Sequence, residues 1–94
     1  MTESEFLELA RTKQEAIRRQ KITIKDYERN AEEKERTSRG FFSTSLDKED
    51  VAFARSILYR ERDKLRNLES EFSEMSKHYR EQTGKDLNES LMQF

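Results

Sequence analysis

The chain has 94 residues, 41% of them charged and 32% apolar, and its 19 basic residues nearly cancel its 20 acidic ones. That allows at most one domain, with a thin core. Without cysteine there is no disulfide framework, no thiolate chemistry and no Cys-based zinc site.

Leucine, isoleucine, valine and phenylalanine together number 19 of the 94 residues. This sits at the edge of what folds, but a net charge of −1 adds no self-repulsion to open the chain. Proline is absent and glycine occurs only at Gly40 and Gly84, so long uninterrupted helices are permitted. No apolar stretch is long enough to span a membrane. The opening residues MTESEFLELA are acidic where a secretory signal is basic. A cytoplasmic location is therefore expected, with no membrane partner.

The spacing predicts a first helix over about 3–37. Thr2 with Glu5 forms a capping-box pattern, and Glu3, Glu5 and Glu8 suit the positive end of the helix dipole. One heptad frame fits throughout, with Ala10, Ile17, Ile24 and Ala31 at a and Phe6, Lys13, Gln20, Tyr27 and Lys34 at d. The frame passes through Lys21-Ile22-Thr23 without a slip, which favours one helix over a break near Thr23 with recapping by Thr23 and Asp26.

A turn is expected over 38–46. Gly40 would end the first helix, Phe42 would staple the next, and Ser45 or Asp47 would cap it. The second helix, about 47–83, has the stronger seam: Val51, Leu58, Leu65, Phe72 and Tyr79 at a, and Ala54, Glu61, Leu68, Met75 and Gln82 at d. Gly84 provides its stop signal, and Asp86 with Glu89 can cap a short terminal helical turn over 86–93.

If the turn centres near Phe42, basic Arg11, Lys13, Arg18 and Arg19 face the region of Glu69, Glu71 and Glu74. Acidic Asp26, Glu28, Glu32 and Glu33 then face Arg55, Arg60 and Arg62. This charge pattern favours an all-α, antiparallel two-helix hairpin of coiled-coil character. Its weak first seam cannot satisfy the second, which also carries Phe53 and Ile57 beside its seam. Assembly into a dimeric four-helix bundle is therefore expected.

Candidate chemistry is sparse. His78, the one histidine, has Glu74 and Glu81 at helical spacing, but a zinc centre needs more ligands and an enclosed site. No nucleophile–base pair and no glycine-rich phosphate loop is evident, so no enzyme activity, cofactor, metal or small-molecule substrate is expected. Six basic residues against Glu15 alone between Arg11 and Lys25 make Arg11, Arg18, Arg19 and Lys25 candidate nucleic-acid contacts. The acidic balance of the whole chain weighs against that reading.

The favoured function is a small protein-interaction module, either adaptor, chaperone-like or regulatory. In character the chain is similar to small helical proteins of bacteria and phages, a likeness of class with no motif behind it. Its expected interface comprises Phe41 and Phe42 in the turn, then Val51, Phe53, Ile57, Leu58, Leu65, Leu68, Phe72 and Met75 on the second helix. Leu91 and Phe94 complete it from the tail, whose LNESLMQF could either cover its own chain or dock on a partner. The expected partners are a second copy and another protein. A purely structural self-associating coiled coil is the remaining alternative.

Overall fold

A computed structural model describes residues 1–38 and 45–94. Every element among the described residues is a helix: α1 spans Glu3–Ser38, α2 Ser45–Thr83 and α3 Leu87–Gln93. Two long helices dominate, packed against each other within each of two compact units. Unit 1 combines residues 1–19 with 66–94, and unit 2 spans residues 20–65.

α1 runs unbroken through Lys21-Ile22-Thr23, so Thr23 and Asp26 recap nothing. At its start the Glu5 amide donates to Thr2 Oγ1 at 3.2 Å, as a capping box requires. The reciprocal arm differs from expectation. The Glu5 carboxylate accepts from the Thr2 hydroxyl rather than from the Thr2 amide. α2 begins at Ser45, the first of the two expected capping positions, and already includes the second, Asp47. The helix stop expected at Gly40 lies outside the described residues.

Helix geometry explains which side chains are buried. From Phe6 to Lys34 on α1 and from Val51 to Gln82 on α2, every a and d side chain is buried or half-buried except Gln82. Among the described residues of unit 2 the buried ones are Ile24, Ala31, Ala54 and Leu58, two of them only alanine. A polar layer crosses that seam, where Gln20 Nε2 donates to the Glu61 carbonyl at 2.8 Å and to its carboxylate at 2.6 Å. The bond from Gln20, followed by one from Lys64, holds the Glu61 carboxyl below its ordinary range.

Among the described residues unit 1 has the larger core. Leu7, Ala10, Tyr79, Leu87 and Leu91 form one cluster, with Phe6, Phe72 and Met75 packed against it. The Phe6 and Tyr79 rings stack at 5.8 Å with an interplanar angle of 9°. The tail therefore covers its own chain. Leu87 is completely buried, a burial that favours docking by about 1.5–3 kcal/mol.

The connection from α2 to α3 depends on one backbone conformation. Gly84 has φ = 74°, and its amide donates to the Arg80 carbonyl at 2.8 Å, closing α2 with a left-handed cap. Asp86 then caps α3 by accepting the Glu89 amide at 3.1 Å. A Cβ at position 84 would meet nothing within 4 Å, so any penalty there comes from φ and not from crowding. Gly84→Ala should cost about 1 kcal/mol in denaturant unfolding, with Gly84→Asn milder. A neutral or stabilising alanine would contradict this account of the cap.

Candidate interaction surfaces

Within unit 1 the expected cross-helix charge pairing occurs once: Lys13 meets Glu71 at 2.5 Å. Arg18 and Arg19 are a correction to the expected pattern, because both turn to Glu15 on their own helix, at 2.6 and 3.4 Å. They occupy heptad positions that face away from the seam, where neighbours one helical turn apart are closer than anything on α2. Their engagement holds the Glu15 carboxyl low, through Arg18 first. Arg11 lies over the Phe94 ring, 5.3 Å from its centre.

The end of unit 1 carries a hydrogen-bond junction that periodicity did not reveal. The Tyr79 hydroxyl lies 2.8 Å from the Glu3 carboxylate and 3.0 Å from Ser90 Oγ. With one proton available, it donates to the carboxylate and accepts from the serine. Lys85 Nζ lies 3.3 Å from the same carboxylate oxygen. One tyrosine thus joins the start of α1 to α2 and α3. A signal existed in the sequence: a tyrosine at a core position needs a partner for its hydroxyl.

An open groove of about 280 Å³ beside this junction is lined by Met1, Phe6, His78, Tyr79 and their neighbours. His78 is exposed and its ring lies 5.9 Å from that of Phe6. Among the described residues no group of three or more histidine, cysteine or acidic side chains is placed to hold a metal ion. Nor is any described helix long and apolar enough to cross a membrane.

The expected protein interface is distributed unevenly. Leu58 and Leu91 are buried within the chain, and Phe72 and Met75 rest half-buried on the unit 1 core. Val51, Ile57, Leu65 and Leu68 are half-buried. Phe53 is 68% exposed and Phe94 43%. Phe41 and Phe42 lie outside the described residues.

Unit 2 holds a second groove, of about 500 Å³, floored by Ala31 and Leu58. Glu28, Glu32 and Glu35 on α1 flank it on one side; Arg55, Tyr59 and Arg62 on α2 flank it on the other. Arg62 meets Glu28 at 3.1 Å, and Arg55 pairs with Glu35. All four of these charges occupy the e position of their heptads, which an antiparallel pair places along one edge. Sequence reading paired the Glu28 region with Arg62 but overlooked Glu35 and Tyr59. The e-position spacing was the signal for Glu35, whereas Tyr59 carried none.

Comparison with known protein families, with curated proteins and with solved structures returns no match.

The Glu3 carboxyl lies below its ordinary value of 4.5, because Tyr79 donates to its charged form and Lys85 reinforces it. A lowered folded-state value gives stability that is present above the unfolded value and lost as pH falls through the folded one. Attachment of α3 should therefore loosen in acid, below about pH 4.5. Chemical shifts of Leu87 and Ser90 should report that loosening, and Glu3→Gln should remove Glu3's share of it. A Glu3 that titrates at or above its ordinary value would contradict this junction.

Proposed function

We propose that the chain is a small non-enzymatic protein-interaction module that binds another protein through the outer face of α2. The observation that carries this reading is Phe53, a phenylalanine 68% exposed on a helix whose other outward positions are largely charged. Ile57 lies one turn further along the same side and is half-buried. Aromatic side chains that their own chain leaves uncovered are the usual anchors of protein interfaces.

The composition supports the non-enzymatic part, with one histidine and no cysteine. A nucleic-acid role for the Arg11–Lys25 segment has weaker support, because Lys13, Arg18 and Arg19 each have a carboxylate partner within the chain.

The test is affinity capture from the native host with quantitative mass spectrometry, comparing wild type with Phe53→Asp. The residue is exposed, so the variant should keep its helix content. Loss of the main captured protein by at least about tenfold is the expected outcome. Equal capture by both forms would remove the proposed surface.

A further inference from the structure

The geometry points to the unit 2 groove as a self-complementary surface that takes a second copy of this chain, centred on Tyr59. This inference rests on reading the chain as an interaction module, but it uses a different surface from Phe53. Tyr59 and Phe53 are six residues apart and project from different sides of α2, with Tyr59 beside the e edge and Phe53 beside the opposite one.

Charge arrangement is what selects the occupant. One flank of the groove is acidic, with Glu28, Glu32 and Glu35 from α1; the other is basic, with Arg55 and Arg62 from α2. The ion pairs fix the levels, since Glu28 stands beside Arg62 and Glu35 beside Arg55. A two-fold axis parallel to the helices carries α1 of one copy over α2 of the other and preserves those levels. Each acidic flank then covers a basic one at matching height, and every carboxylate row meets guanidinium groups from both copies. Facing copies in this way is an isologous contact, which closes at two.

Apolar surface coincides with that charge pattern. Tyr59 is 67% exposed and borders a floor of Ala31 and Leu58. Stacking two copies would cover both tyrosines and exclude water from the four ion pairs, which strengthens them. Glu32 is exposed, and among the described residues it has no cationic partner, so a facing basic flank would give it one. A partner with a uniformly acidic or uniformly basic surface would leave one flank unmatched, whereas a second copy matches both.

Sedimentation equilibrium on the full chain tests this at low and high salt, with helix content followed by circular dichroism. Wild type should form a dimer that weakens as salt rises from about 0.1 to 1 M, where screening shortens from about 10 to 3 Å. Tyr59→Asp and Glu32→Arg should each raise the dimer dissociation constant roughly tenfold or more without loss of helix. Phe53→Asp should leave it unchanged, so failure here is separable from failure of the Phe53 surface. A wild type that stays monomeric, a dimer insensitive to both groove variants, or a groove occupied only by a different protein would each overturn the proposal.

Discussion

With 19 leucine, isoleucine, valine and phenylalanine side chains in 94 residues, burial is the scarce quantity in this protein, and helix geometry decides where it goes. Eight of those residues stand at a and d, along the seam where the two long helices pack within each unit. The seam alone is narrow, and among the described residues of unit 2 two of the four buried ones are alanine. Unit 1 solves the same shortage by adding a third helix, whose Leu87 and Leu91 complete a cluster around Tyr79. Among the described residues, the two units therefore contain different amounts of apolar burial.

Polar groups at seam positions complement this scarcity. Gln20 occupies a d position opposite Glu61, and its amide satisfies both the backbone and the side chain of that residue. Such a layer adds little net stability, yet it penalises any slip that would separate the pair and leave a half-buried carboxylate unmatched. Lys13 at d does similar work in unit 1 by reaching Glu71. Polar residues that look like defects in a heptad pattern thus help to fix which residues face each other.

Much of this was legible in the sequence. Absence of proline and the placement of Gly84 permitted two long helices, and the 3.5-residue spacing identified the buried face of each. Asp86 was identifiable as a cap from its residue type and position. Contacts that depend on both helices together were harder to read. Tyr79 was visible as a core residue, but its bonds to Glu3 and Ser90 join residues up to 76 positions apart. Arg18 and Arg19 were misread because a rotation about the helix axis sends them toward Glu15 instead of α2. The groove beside Tyr59 was missed because single-helix periodicity does not show which edges of two helices lie side by side.

Residue-resolved hydrogen exchange at several protein concentrations is the most direct test of the claim that burial is concentrated in unit 1 and completed from outside in unit 2. Interior amides of residues 1–19 and 66–93 should be strongly protected at every concentration, because their core is contained within the chain. Interior amides of residues 20–38 and 45–65 should exchange faster when dilute and gain protection as concentration rises. Equal protection of both units, independent of concentration, would contradict the account.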